Sequence, residues 1–330
     1  MKKQLYRLIA SALALSLAST LGIAALASDT TINFGLLSNN APIAESLELE
    51  TYRGVELTGS FKAFDPDGDA LMFEITTAPR KGALATSGNH CFVYTPAEKS
   101  KGRDTFTYVA VDENGGVSAN ATVTINIKKQ VTKTTYSDMS GNSAHNAAIT
   151  LSERGIFTGE RLGDECFFRP DAPVTRGEFL AMCLKMSDTA PAEGITRTGF
   201  SDDSDIPVWT KPYVSAALMN GIVGGSRNSE GALVFLPNSA ITYAEAAVII
   251  NKTLGISEVV GVASYDSGAV PAWAQSAAAN LTACAILPAG LAGISGDELT
   301  RSAAAELLVA SMRVLDNRED ASSGLLSWAK

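Results

Sequence analysis

Histidine is nearly missing from this 330-residue chain, which has two, and cysteine is scarce at four. His90 and His145 do not stand with a cysteine at metal-ligand spacing, so a structural zinc site is not expected. Cys91, Cys166, Cys183 and Cys284 are too few and too scattered for a disulfide framework. Cys183 lies in the apolar stretch Phe179 to Met186 and reads as a small buried hydrophobe, and nothing indicates a bridge from it to Cys166. No Ser-His-Asp or Cys-His constellation is in view, which removes the common routes of nucleophilic catalysis. Past residue 27 no apolar run is long enough to cross a bilayer.

The chain begins with Lys2, Lys3 and Arg7 ahead of an apolar run, Leu8 to Leu26, that ends in the small residues of Ala25-Leu26-Ala27. Residues 1–27 read as a secretory signal peptide, with no integral membrane span after cleavage. Removing them takes away three basic residues and no acidic one, which moves the formal net charge from −9 to −12. So acidic an exported chain is a poor partner for nucleic acid or for anionic membrane surfaces.

Residues 28–41 read as a polar linker. Residues 42–129 then change texture, with short alternating stretches cut by Gly, Asp, Asn and Pro, the pattern of an all-β sandwich. Strands are expected over 55–63, 71–77, 91–94, 104–111 and 119–127. The turn Asp65-Pro66-Asp67-Gly68-Asp69 sets carboxylates at alternate positions, so Asp65, Asp67 and Asp69 are weak calcium candidates. The loop fails the helix–loop–helix calcium test, with Ala70 where a glycine belongs and Thr76 where a glutamate belongs, and an ordinary tight turn explains the same residues. No cofactor or metal is otherwise expected.

The remaining two hundred residues repeat themselves. Tyr136-Ser137-Asp138, Phe200-Ser201-Asp202 and Tyr265-Asp266 open three units, and Thr175, Thr242 and Thr300 start a helix in each. Gly155-Ile156 matches Gly221-Ile222, with Ala285-Ile286 in that place in the third unit. Phe168-Arg169-Pro170 matches Phe235-Leu236-Pro237, and the third unit has no counterpart. The units span 134–188, 198–256 and 262–316, the last a degenerate copy, and 317–330 reads as a tail. Thr175 with Glu178, and Thr242 with Glu245, form capping boxes, whereas Thr300 is followed by Ala303 and has only half of one. Capping does not explain Arg176 and Arg301, because a cation in the first turn opposes the helix dipole. A guanidinium beside a helix N-terminus suits an anion, and a surface arginine packed on a neighbour or paired with an acid such as Asp138 is the plainer reading. Trp209 and Trp273 stand twelve residues before Gly221 and Ala285, either capping the core or stacking on a sugar face, and the same offset in the first unit is Ser143.

Taken together, the aromatic-Ser-Asp opening, the tryptophan, Gly-Ile, Phe-Arg-Pro and Thr-Arg-x-Glu resemble the S-layer homology domain over about residues 134–316. Asp65 to Ile75 and Phe106 to Gly116 resemble the bacterial cadherin-like, immunoglobulin-like repeats of surface proteins. The resemblance implies a multidomain chain: an all-β sandwich followed by an all-α pseudo-trimer of three helix-loop-helix repeats around a central helix bundle. It also implies that grooves between repeats bind an anionic, often pyruvylated, secondary cell-wall polymer. The family's arginine falls on Arg176 and Arg301, with Tyr243 in the second unit; its tryptophan falls on Trp209 and Trp273, its aspartate on Asp138, Asp202 and Asp266. No unit carries the whole set, so two working grooves are expected rather than three. The reading is a non-catalytic protein on the surface of a bacterium with a Gram-positive-type wall, with other surface or S-layer proteins as further partners. Alternatives are a calcium-dependent adhesin and an accessory subunit of a surface polysaccharide-degrading system.

Overall fold

The computed structural model describes residues 39–88, 90–257, 270–287 and 294–327. Nine strands build the first part: β1 (Ile43–Ala44), β2 (Leu47–Tyr52), β3 (Leu57–Ser60), β4 (Ala63–Phe64), β5 (Leu71–Thr77), β6 (Gly82–Ser87), β7 (Cys91–Pro96), β8 (Gly102–Asp112) and β9 (Ala121–Lys128). A four-stranded sheet has the order β2-β9-β8-β5 and a three-stranded one β3-β7-β6, the expected sandwich, with β1 and β4 paired separately. Alternation makes the layers: Val123, Ile125 and Ile127 of β9 are buried on one face, together with Phe92, Tyr94, Phe106 and Tyr108 of β7 and β8. The sequence also alternates at Leu47-Glu48-Leu49-Glu50, and this overlooked segment is β2, parallel to β9 with Leu49 opposite Ile125. Asp104 is buried and caps the 80–81 loop, accepting from the amides of Arg80 (3.0 Å) and Lys81 (2.8 Å) and from the Tyr94 hydroxyl (2.8 Å). Burial opposes the charge on Asp104, but those donors outweigh it and hold the carboxyl below its ordinary pKa.

Six α-helices follow among the described residues: α1 (His145–Glu153), α2 (Arg176–Met186), α3 (Lys211–Met219), α4 (Tyr243–Leu254), α5 (Gln275–Ala283) and α6 (Arg301–Ser327). The expected all-α pseudo-trimer is corrected by the segments between them. Glu160–Leu162 (β10) pairs with Glu165–Phe167 (β11), and Ser226–Arg227 (β12) with Leu233–Val234 (β13). The first hairpin turns on Gly163-Asp164, with Gly163 at φ 62, a two-residue connection that a left-handed glycine permits. The region is therefore a mixed arrangement of helix pairs and hairpins, in which α2 packs on α4 and α6. α6 runs on to Ser327, into the segment read as a tail.

Each first helix closes at the Gly-Ile position. Gly155 (φ 65) and Gly221 (φ 69) turn left-handed, and Ala285 does the same at φ 54. The next amide then folds back onto the helix: Ile156 donates to Leu151 (2.9 Å), Ile222 to Ala217 (2.8 Å) and Ile286 to Leu281 (2.8 Å). The two parts of the chain share packing, since Tyr52 and Val55 at the end of β2 belong to the apolar core of the helical region. The Asn146 amide of α1 donates to the Glu50 carbonyl at 2.7 Å across that junction. Glu153 then latches the connecting segment by accepting from the amides of Val131 and Thr132.

Candidate functional site

The second helix of each unit starts at a backbone ring. Val174 donates to Leu299 (2.9 Å), Leu299 to Ile241 (2.8 Å) and Ile241 to Val174 (3.0 Å), and all three side chains are fully buried. The next amides continue the exchange. Arg176 and Gly177 donate to Ser239 (2.9 Å) and Pro237 (3.0 Å), Tyr243 and Ala244 to Asp297 (3.2 Å) and Ser295 (3.0 Å), Arg301 and Ser302 to Ala172 (2.9 Å) and Pro170 (2.9 Å). The third amide of each helix goes to its cap, with Glu178 donating to Thr175 (3.2 Å), Glu245 to Thr242 (3.3 Å) and Ala303 to Thr300 (3.3 Å). Both complete boxes are formed, Glu178 and Glu245 accepting from the cap amides at 3.0 and 3.1 Å. The orphan amides that would make these helix ends anion sites are thus already committed. Whatever binds there must use side chains.

The arginines answer the dipole objection by crossing between units. Arg176 Nη1 lies 2.8 Å from Glu245, the capping glutamate of the second unit, with its guanidinium 5.5 Å from the Phe235 ring centroid. Arg301 Nη2 lies 4.0 Å from Glu178, the capping glutamate of the first unit, while Nη1 reaches Glu160 at 2.9 Å. Its guanidinium sits 5.2 Å from the Phe157 ring centroid. The same logic would pair position 243 with position 303. Those are Tyr243 and Ala303, so the arginine and its glutamate are missing together. Neither arginine is paired with Asp138, and each leaves its Nε buried with no hydrogen-bond partner.

Beside Arg301 is a groove of about 250 Å³ lined by Phe157, Gly159, Glu178, Met182, Lys185 and Trp209. Two units line it, the first supplying the walls and the second Trp209 from the turn before α3, while Arg301 of the third contacts two wall residues, lying on Phe157 and beside Glu178. Trp209 is 55% exposed, too open to be capping the core. Trp273 holds the matching place before α5 and is 61% exposed.

The opening aspartates do different work. Asp138 accepts from the amides of Phe168 (2.9 Å) and Arg169 (2.6 Å), and Asp202 from those of Phe235 (2.9 Å) and Leu236 (2.8 Å). Arg169 (φ 55) and Leu236 (φ 59) are left-handed, so each carboxylate pins a strained residue in the Phe-x-Pro loop. Asp138 and Asp202 are spent on that clamp; Asp266 lies outside the described residues. The signal was in the sequence, since acid and Phe-x-Pro recur together in the first two units. Gly159 and Gly225 were missed as well. Each is left-handed, at φ 74 and φ 70, and a Cβ there would meet the aromatic that opens its unit, Tyr136 or Phe200. All four cysteines are free thiols, and Cys183 is fully buried, which pushes its thiol pKa up.

Comparison with known families decides the matter. The bacterial cadherin-like domain matches residues 39–129, and the S-layer homology domain matches 135–180 and 199–247. This chain carries S-layer homology domains. Their matches take in α1 and both capping boxes; the third unit lies beyond the matched residues. An amylopullulanase of Thermoanaerobacterium thermosulfurigenes is 35% identical over 38% of this chain and 7% of its own length. An exoglucanase, XynX, of Acetivibrio thermocellus is 32% identical over 38% of this chain and 11% of its own. A surface-layer 125 kDa protein of Lysinibacillus sphaericus is 30% identical over 36% of this chain and 10% of its own. The chain therefore spans about a tenth of the length of the curated relatives it matches. Among solved structures, an endo-fucoidan hydrolase of glycoside hydrolase family 107 (20% identity, 30% of this chain and 15% of that one, TM-score 0.25) and the SrpA adhesin of Streptococcus sanguinis (24%, 30% and 63%, 0.22) are similar at a level that bears on nothing further. The S-layer homology domain is a cell-wall anchoring module, and neither matched domain type is catalytic.

Proposed function

We propose that this protein is exported and held noncovalently on the cell wall by its S-layer homology repeats, with the sandwich as the module it presents. The ligand is an anionic, pyruvylated secondary cell-wall polymer. One observation carries the reading: exposed Trp209 of one unit joins a groove of the first, two of whose walls, Phe157 and Glu178, are braced by Arg301 of another. Indole gives a sugar face something to stack on, and Lys185 puts a cation suited to a carboxylate on the groove wall. Arg176 and Trp273 are the corresponding members of a second groove. Residues 262–316 complete the structure as a third, degenerate repeat, supported by the Thr300 cap, by the Ala285 turn and by the donation of Arg301 to the first unit. Weak binding at each groove is compensated by avidity over two.

The protein acts without catalysis of its own. The amylopullulanase and the exoglucanase resemble it over a small fraction of their length, as expected of an anchor that different passengers share. Titration of released, soluble wall polymer into the purified protein and into Trp209→Ala tests the groove. The indole face contributes about 1–3 kcal/mol on the scale of aromatic stacking, so affinity should fall by about fivefold to 150-fold. Unchanged affinity in a folded Trp209→Ala would remove the groove from the binding site.

A further inference from the structure

Residues 129–135 are all the chain that separates the end of β9 from Tyr136, where the first repeat opens. Domains joined by a linker move against each other unless a sizeable apolar interface holds them. Here the linker itself is pinned. The amides of Val131 (3.0 Å) and Thr132 (2.6 Å) donate to Glu153 at the end of α1, and the Ser152 hydroxyl donates to that of Thr134 (3.0 Å). The Gln130 side-chain amide closes the segment on itself by donating to the Thr134 carbonyl at 2.7 Å.

An apolar interface is present as well, at the corner that follows β2. Tyr52 (9% exposed) and Val55 (5%) come from the sandwich, yet both belong to the apolar cluster of the repeats and neither to that of the sandwich. The corner is stiff, because the buried Thr51 hydroxyl donates to the Val55 carbonyl (2.9 Å) and the Val55 amide to the Tyr52 carbonyl (3.1 Å). The Tyr52 hydroxyl lies 3.5 Å from that of Thr150 on α1, whose own proton goes to the Asn146 carbonyl at 2.9 Å. Tyrosine is therefore the donor of that pair. One turn earlier on α1, the Asn146 side-chain amide reaches back to the Glu50 carbonyl of β2. α6 completes the joint: buried Met312 lines a pocket of about 150 Å³ with Thr51 and Tyr52, and Asp316 pairs with Arg154 at 3.5 Å.

We propose that the Tyr52–Val55 corner is a wedge that joins the sandwich and the repeats into one cooperative body, in place of two modules on a tether. Modules that share only a linker unfold separately, whereas modules that share a core lose it together. The described residues from Ala41 onward form one compact unit, as such a body requires. α1 packs on α6, so the wedge bears on the first and third repeats at once. The sandwich then keeps one direction relative to the repeats, and tilting it would empty part of their core.

Differential scanning calorimetry of the whole protein, with trypsin cleavage at Lys129 and Lys133 as a second readout, tests the wedge. The wild type should melt in one transition. Tyr52→Ala should split it in two, with the repeats melting at the lower temperature. Glu153→Ala leaves the core filled and frees the amides of Val131 and Thr132, so trypsin should cut the 129–135 segment at least about fivefold faster, on the scale of one hydrogen bond. Two transitions in the wild type overturn the proposal, as does a Tyr52→Ala protein that melts in one transition at an unchanged temperature. Cleavage of Glu153→Ala no faster than that of the wild type also counts against it.

Discussion

Gly225 offers the sharpest test of how the repeats are packed. It sits at φ 70, and a Cβ built on it would lie 2.5 Å from Phe200 Cε1 and 2.7 Å from the Val234 carbonyl oxygen. Neither neighbour is free to retreat: Val234 is paired in the β12–β13 hairpin, and Phe200, 4% exposed, packs on Phe235 with ring centroids 5.6 Å apart. Gly225→Ala therefore suffers twice. Left-handed backbone costs an alanine about 1–2 kcal/mol, and forcing a methyl group into a filled site costs about 1–3 kcal/mol more. Gly221→Ala is the control, because Gly221 has nearly the same φ of 69 but nothing within 4 Å of its Cβ position. The third unit already carries alanine at the matching site, Ala285 at φ 54. Urea denaturation followed by tryptophan fluorescence should place Gly225→Ala below Gly221→Ala by about 1–3 kcal/mol. Equal midpoints for the two variants would refute the packing argument, leaving backbone strain as the whole effect.

Ala285→Gly should run the other way and raise stability by about 1 kcal/mol in the same assay, by relieving a left-handed alanine. Glu178→Ala should lower stability by about 1 kcal/mol through its cap; a loss no larger than that of an exposed control such as Glu165→Ala would deny the box its role. Asp203 has its carboxyl pKa held down at about 2, first by the hydrogen bond from Lys211 and then by the Thr198 amide. Because the folded pKa lies below the unfolded one, the contribution is present above about pH 4 and fades as pH falls toward 2. Asp203→Asn should therefore flatten the acid limb of the stability profile between about pH 4 and pH 2; an unchanged limb would deny Asp203 that role.

The features legible in the sequence were the local ones. A capping box needs only Thr175 and Glu178 three residues apart, and both boxes formed as written. The Gly-Ile turns were visible because one residue had to reverse the chain at the same place in each unit. The sandwich was readable where burial alternated, as in β9, whereas β10 is exposed at all three positions and gave no periodic signal. The partners of the arginines could not be read at all. Glu245 is 69 residues from Arg176, and only the exchange of backbone hydrogen bonds around Val174, Ile241 and Leu299 brings the two units into register. The same ring removes the helix amides from ligand binding, which leaves only side chains to serve the proposed anion site.

Cosedimentation of the purified protein with Gram-positive-type wall sacculi, before and after extraction of the non-peptidoglycan polymer, tests wall anchoring most directly. The account predicts that the protein pellets with intact sacculi, that extraction abolishes this, and that Arg301→Ala pellets less at equal folded concentration. Pelleting that survives extraction, or a folded protein that never pellets, would contradict it.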